Sequence, residues 1–195
     1  MQGAFDHDQY VIRKKVIKLL GGAFHIYDRN GTLLFYSKQK AFKLKEDIRL
    51  YTGEDMKQEV LTIKARQVID FSAGYDVVDT TNGQRVGGLR RRGLKSLLRD
   101  TWIVLDENDQ EIGIIQEDST AAAIVRRFID MASLLFPQKY HLERNGQTLV
   151  TYQQNYNPIV KRITIDFGFD SQRQIDRRLG LAAGVLLSAI EGRQG

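Results

Sequence analysis

The chain has no cysteine and only two prolines among its 195 residues. The lack of cysteine excludes disulfide bonds, thiolate metal sites and cysteine nucleophiles, and it fits a reducing compartment such as the cytosol. Scarce proline and the lack of a low-complexity tract argue against a long linker or a disordered region. We therefore expect one domain over residues 1–195, long enough to bury a sizeable core. The opening residues carry Asp6, His7 and Asp8 and no apolar run, so no signal peptide is expected.

One run is both uncharged and almost wholly apolar, the twelve residues 179–190. A helix that is apolar on every side must be buried, yet a bilayer span needs about 20 residues. Ser171 and Gln174 just before the run match a helix capping box, and Gly180 and Gly184 keep the helix thin. Because most of the chain has strand patterns, we predict a β-barrel with this helix in its lumen.

The strand patterns repeat along the chain. Each copy has a basic residue, a short apolar patch, a turn, and an alternating strand that tends to end in aspartate. The anchors of the copies are spaced 24, 27 and 27 residues apart, and a fifth copy starts at Tyr140; they are Phe24, Ile48, Tyr75 and Trp102. Evenly spaced short strands are typical of barrels and sandwiches.

Turn and helix signals complete the predicted architecture. Asn-Gly pairs at residues 30–31, 82–83 and 145–146 predict two-residue type I′ hairpin tips, in which both residues have positive φ. Residues 119–136 have an apolar stripe at helical spacing, followed by Pro137, which predicts one amphipathic helix.

Several motifs in this order resemble the tubby C-terminal-like superfamily, which includes the LURP-one-related proteins and the phospholipid scramblases. The pattern is most similar to the LURP-one-related type and spans residues 10–191. The motifs are Tyr10-Val11-Ile12-Arg13-Lys14-Lys15, Phe24-His25-Ile26-Tyr27-Asp28-x-x-Gly31, Lys40-x-Phe42-x-Leu44 and the apolar helix after Asp166-Phe167. The resemblance implies a mostly β fold, a closed antiparallel barrel of about twelve strands around a central hydrophobic helix.

The resemblance also suggests a class of ligand. Tubby proteins bind phosphoinositides through basic residues on the barrel surface, and scramblases act at membranes and carry an acidic calcium-binding segment. The acidic residues 106–111 lack the sixth-position glycine and the distal glutamate of an EF-hand loop, so we interpret them as a charged hairpin tip. No lipid-binding residue is transferred by the resemblance.

The net charge of +5 permits anionic partners. The candidate anion-binding residues lie in a dense basic segment within residues 85–99 and in two earlier lysine-rich stretches: Arg90, Arg91, Arg92, Lys95, Arg99, Lys14, Lys15, Lys40 and Lys43. The alternative is that these side chains cover apolar edges or protect strand edges from pairing.

The chain has no nucleotide-binding or hydrolase motif. His25 and His141 lack an evident third metal ligand, so no metal or other cofactor is expected. A helix in the lumen would leave no interior pocket, so ligands would bind outside or at the barrel ends. We predict a non-enzymatic, cytoplasmic binding module for anionic membrane lipid or phosphoinositide, peripheral to the membrane when bound. The alternative is a nucleic-acid or protein-interaction module that uses the same basic faces.

Overall fold

A computed structural model describes residues 2–17, 21–39, 47–66, 74–92, 101–118, 138–155 and 160–191. These residues form a mostly β structure with twelve strands and one α-helix. The elements are a short 3-10 helix (Gln2–Phe5), β1 (Gln9–Ile17), β2 (Gly21–Asp28), β3 (Leu33–Gln39), β4 (Ile48–Tyr51), β5 (Glu59–Ala65), β6 (Gly74–Asp79), β7 (Gln84–Arg91), β8 (Trp102–Leu105), β9 (Glu111–Glu117), β10 (Lys139–Arg144), β11 (Gln147–Asn155), β12 (Lys161–Asp166) and α1 (Arg177–Glu191).

Each strand pairs with its neighbours in the chain, and all the pairings are antiparallel. The first strand also pairs with the last, so that Gln9 lies opposite Asp166 and the sheet closes. The closed antiparallel barrel predicted from the sequence is therefore confirmed. The predicted amphipathic helix at residues 119–136 lies outside the described residues.

The sequence repeat corresponds to one β-hairpin. Phe24, Ile48, Tyr75 and Trp102 each lie on an even-numbered strand, and at most 5% of each is exposed. Tyr140 has the same place on β10 and is also buried. Since alternate residues of a barrel strand face the lumen, the anchors supply large side chains to the core once in every two strands.

Aspartate at the end of a strand, or just after it, organises hairpin turns, as two examples show. The Asp28 carboxylate accepts hydrogen bonds from the backbone N–H groups of Asn30 (2.9 Å) and Thr32 (2.8 Å). The Asp106 carboxylate accepts equivalent bonds from Asn108 and Gln110. Such carboxylates mimic part of a backbone turn, which explains why strands of the repeat end in aspartate.

The type I′ prediction is right at one of three Asn-Gly pairs. Asn145 (φ 52°) and Gly146 (φ 76°) both have positive φ, whereas residues 30–31 and 82–83 have positive φ only at the glycine. The turns at those two sites are longer because Asp28 and Asp79 bind their backbone. All three pairs are exposed.

The central helix begins later than the capping-box pattern indicates. The helix starts at Arg177, and Asp176 caps it by accepting a 2.8 Å hydrogen bond from the Arg178 N–H. The predicted cap at Ser171 is wrong, because the buried Asp170 takes the N–H groups of Gln174 (2.7 Å) and Ile175 (3.0 Å) in a preceding turn.

Small residues let the helix approach the wall of the barrel. A Cβ atom on Gly180 would meet the Phe167 ring at 2.5 Å, and one on Gly184 would collide with Ile165 and approach Ile12 at 3.4 Å. The two glycines therefore lie against β12, β1 and the residue that follows β12. This agrees with the predicted close packing of the helix on strands, since interiors have few voids and tolerate little added volume.

Candidate functional site

The basic segment on β7 is largely neutralised by acids from other strands. Arg85 donates to Asp76 (2.7 Å) and to Asp109 (2.6 Å), and Arg66 binds the same two carboxylates at 2.7 and 2.6 Å. We call these four residues the closed network. They come from β6, β7, the residue after β5 and the β8–β9 turn.

A glycine makes room for the closed network. A Cβ atom on Gly88 would lie 3.0 Å from Arg85 Nη2 and 3.4 Å from Arg66 Nη2. The sequence predicts that the two strand glycines at residues 87–88 mark a bulge or a close approach. Both features are present. The register of β6 against β7 shifts between Val77 and Val78, opposite residues 85–87, and two guanidinium groups approach the backbone at Gly88.

The arginines also control the ionisation of the network. Burial alone would raise the pKa of Asp76, but hydrogen bonds from Arg66 and Arg85 outweigh burial, and the pKa lies below its ordinary value. The hydrogen bond from Arg66 lowers the pKa of Asp109 in the same way. Both carboxylates therefore stay charged at neutral pH and cancel much of the local positive charge.

The other predicted residues of this segment fall into three groups. Arg90 pairs with Glu111 at 3.0 Å, so this cation also has an acidic partner. Arg91 is half-buried, and Arg92 is exposed next to the end of β7. Lys95 and Arg99 lie outside the described residues, so their role remains a prediction.

Lys14 does not lie on the barrel surface. It alternates in phase with Tyr10 and Ile12, faces the lumen and is 3% exposed. Its Nζ donates a 2.9 Å hydrogen bond to the Ser188 carbonyl near the end of α1 and lies 5.5 Å from the Phe24 ring centre. A cation at a helix C-terminus is favourable, so we assign Lys14 to the core and no longer count it among the candidates for an anionic ligand.

Of the remaining predicted lysines, only Lys15 lies among the described residues. Lys15 lies on β1 opposite Ala23 of β2 in the strand register. Lys40 and Lys43 lie outside the described residues, and their role remains a prediction.

A pair of arginines that the sequence analysis did not select lies on the outer face of the β1–β12 seam. Arg13 on β1 stands directly opposite Arg162 on β12, and both are half-buried. Among the residues that the structure describes, neither has a carboxylate partner, and the Nε atom of each is buried without a hydrogen bond. We call Arg13 and Arg162 the open pair.

Aromatic and imidazole side chains border the open pair. The Arg13 guanidinium carbon lies 4.5 Å from the ring centre of Tyr27, a cation–π contact that fixes the arginine. His25, opposite Arg13 on β2, binds Glu54 through Nε2 at 2.8 Å. Like charges directly opposite each other destabilise a sheet. The repulsion within the open pair therefore lowers the stability of the barrel, and a bound anion would relieve it.

The signal for this pair was present in the sequence. Alternation along β12 places Arg162 on the outer face. On β1, Arg13 faces the side opposite to the buried Tyr10 and Ile12, which is also the outer face. The missing information was the register between β1 and β12, which join opposite ends of the chain.

Among the described residues, no group of three histidine, aspartate or glutamate side chains has a geometry that would hold a metal ion. His25 and His141, the pair for which the sequence offers no third ligand, lie on β2 and β10, which are not neighbours in the barrel. His141 instead binds Asp118 and Glu143.

None of the described helices is long and apolar enough to cross a membrane.

Comparisons with known proteins place the fold in a family. A family model described as LURP-one-related matches residues 33–172, which is more than half of the chain. The chain belongs to the LURP-one-related family. The family match agrees with the resemblance noted in the sequence and includes β3 to β12. Arg162 of the open pair lies within the matched residues, whereas Arg13 lies before them.

One solved structure of similar shape is the X-ray structure of a protein from Arabidopsis thaliana. The two structures superpose with a TM-score of 0.50 and 13% sequence identity, over 95% of this chain and 93% of that chain. At this identity the similarity shows that the fold is shared. A search of curated proteins gives no match.

Proposed function

We propose that this LURP-one-related barrel is a non-enzymatic binding module that holds a phosphate group of an anionic membrane lipid at the open pair. The family is generally non-enzymatic, which supports a binding role. The observation that carries the proposal is the cross-strand pair Arg13–Arg162, which has no carboxylate among the described residues.

The chemistry of the pair suits a phosphate. A guanidinium presents a planar fork of N–H donors that matches phosphate oxygens. Two forks on adjacent strands would bind different oxygens of one phosphate. Binding would replace the repulsion between the two cations by two attractions, and cations near an anionic membrane contribute about 1 kcal/mol each.

The test is co-sedimentation with phosphatidylcholine vesicles, prepared with and without a phosphoinositide, at low and high salt. The parent protein should bind only the vesicles that contain phosphoinositide, and binding should weaken at high salt. The double substitution Arg13→Gln with Arg162→Gln should weaken binding about 30-fold, since it removes two cations of about 1 kcal/mol each.

A matched control removes two cations from the face predicted by the sequence, with Arg90→Gln and Arg92→Gln. These changes should leave most of the binding intact. The Arg13→Gln, Arg162→Gln protein should melt at a temperature close to that of the parent, because the repulsion that it loses offsets the loss of the Arg13–Tyr27 cation–π contact.

Three results would overturn the proposal. Loss of binding in the control but not in the open-pair variant would move the site to β7. Failure of the parent protein to bind anionic vesicles at low salt would exclude the lipid function. Binding to duplex DNA that requires the open pair, without binding to vesicles, would favour the nucleic-acid alternative.

A further inference from the structure

A cavity of about 720 Å³ lies at the end of the barrel where α1 begins, which we call the mouth. Its size is within the range of about 300–1,000 Å³ that is usual for small-molecule sites. The strands nearest to α1 are β1, β6, β7 and β12, whereas much of the cavity wall comes from β3, β5 and the β4–β5 loop. The 3-10 helix at the start of the chain covers this side, where Phe5 stacks on Phe35 with ring centres 4.5 Å apart.

The lining of the cavity has an apolar part, a rim of uncharged polar side chains and several charged side chains. The apolar part that a ligand can reach is Ala4, Phe5 and Leu34, which are half-buried, since Phe35, Val60 and Ile175 are at most 2% exposed. The rim includes four exposed side chains that carry hydroxyl or amide groups: Thr52, Gln58, Thr81 and Asn82. This division is typical of a site that takes a mainly apolar molecule and orients it with a few hydrogen bonds.

The charged side chains of the lining already bind one another. Arg173 pairs with Asp6 at 2.9 Å, and Arg178 lies between Asp79, at 2.6 Å, and Asp176. A charged ligand would have to compete with these internal ion pairs. The balance of charge therefore favours an uncharged ligand.

One buried donor in the lining has no acceptor. Arg177 is 6% exposed, and its two Nη atoms bind Asp170 (2.8 Å) and Asp8 (3.0 Å). Its Nε is buried and makes no hydrogen bond among the described residues. A buried N–H without an acceptor is unfavourable, but this atom has almost no accessible surface, so a ligand in the cavity would reach it only if the Arg177 side chain moved.

We infer that the mouth cavity is a binding site for an uncharged small molecule with an apolar body and a carbonyl or hydroxyl oxygen. The body lies on Ala4, Phe5 and Leu34, and the oxygen bonds the hydroxyl and amide groups of the rim. This inference does not depend on the proposed lipid function, because the open pair lies on the outer face of a different part of the barrel.

The test uses Nile red, an uncharged and mainly apolar dye that carries a carbonyl group. Titration of the parent protein should give a saturable rise in fluorescence with one site per chain. Ala4→Trp and Thr52→Trp each place a large side chain at the cavity and should weaken binding about tenfold or more. Asn108→Trp adds the same side chain at the exposed β8–β9 tip, away from the cavity, and should bind like the parent.

Two further measurements make the result specific. The anionic dye 1-anilinonaphthalene-8-sulfonate should bind more weakly than Nile red, because the lining offers no unpaired cation. The Arg13→Gln, Arg162→Gln protein should retain Nile red binding even though we expect it to lose vesicle binding. The inference is overturned if the folded parent shows no saturable binding, if both filled variants bind as the parent does, or if the anionic dye binds more tightly.

Discussion

The closed network and the open pair are both built from half-buried arginines on the outside of the same barrel, yet they differ in their partners. In the closed network, Asp76 and Asp109 lie between Arg66 and Arg85. In the open pair, two arginines face each other, with no acid beside either among the described residues. The first arrangement ties strands together, whereas the second leaves two cations side by side without an acid among the described residues.

The difference shows that a dense run of cations in a sequence is a poor guide to a basic surface. Arg85 and Arg90 lie in the densest basic segment, but their acids come from β6, the β8–β9 turn and β9. Arg13 and Arg162 lie far apart in the sequence and become neighbours only when the barrel closes. The density of cations in a sequence segment ignores acids from elsewhere in the chain. The electrostatic field at a surface depends also on the charged side chains that neighbouring strands place there.

The largest expected effect comes from a substitution that disrupts the packing of α1 against the β1–β12 seam, on which the open pair depends. Gly184→Leu would place a bulky side chain against Ile165 of β12 and Ile12 of β1. Overpacking should lower the free energy of unfolding by about 3 kcal/mol or more, as measured by urea denaturation. Gly53→Leu, at a site where an added Cβ makes only ordinary contact, is the control. A Gly184→Leu protein as stable as the parent would contradict the packing of α1 against the seam.

A smaller effect should follow when the closed network is opened. Asp76→Ala leaves Arg66 and Arg85 with Asp109 as their one remaining carboxylate in the network. We expect a loss of about 1.5 kcal/mol, at the low end of the range for hydrogen bonds to charged groups, because Asp109 still binds both arginines. Asp55→Ala removes an exposed acid that only pairs with Lys57 at 3.4 Å, and it should change stability by less than about 0.5 kcal/mol. Thermal melting of both proteins tests the difference, and equal losses would mean that the network is not a structural tie.

The reverse experiment closes the open pair. Val11 precedes Arg13 by two residues and stands opposite Thr164 of β12, so glutamate there would be diagonal to Arg162. Val11→Glu should raise stability by about 0.2–1 kcal/mol and weaken binding to anionic vesicles. Val11→Gln has similar size without the charge and should do neither. Unchanged vesicle binding by the glutamate variant would separate the open pair from lipid recognition.

The smallest expected effect is on stability at acid pH. It should appear for the closed network and not for the open pair, because only the network contains carboxylates. The pKa of Asp76 and that of Asp109 lie below the ordinary value of 3.8, so the network adds stability above that value. This contribution is lost as the pH falls through the lowered pKa values. Between about pH 5 and pH 3, the Asp76→Asn protein should therefore lose less melting temperature than the parent. Identical pH profiles would show that the network does not influence acid stability.

The barrel was predictable because its signals are repeated and local. A short apolar run can only be buried inside protein, and buried anchors such as Phe24 and Trp102 recur with the hairpins. The predictions that were wrong concern positions where a residue from elsewhere in the structure overrides the local sequence pattern. The Asp170 carboxylate binds Arg177 and two backbone N–H groups, and this overrides the local capping pattern at Ser171.

The candidate site was less predictable for a related reason. Adjacent cations such as Arg13 and Lys14 form one cluster in the sequence, but strand alternation sends them to opposite sides of the barrel wall. Alternation alone could have separated them. Only the register of β1 against β12, however, identifies Arg162 as the partner of Arg13, and that register requires the closed barrel.

The pairing of β1 with β12 also sets the order in which the protein can form during synthesis. Gln9 and its partner Asp166 leave the ribosome roughly 10 to 30 seconds apart at ordinary elongation rates. Throughout that interval one edge of β1 has no strand beside it, and Lys14 has no helix carbonyl to bind because Ser188 follows β12. Closure therefore comes late and depends on contacts of very long sequence separation, which slow folding. A nascent chain of this family would expose an unpaired strand edge for most of its synthesis, and that edge is where we expect chaperones to bind or aggregation to begin.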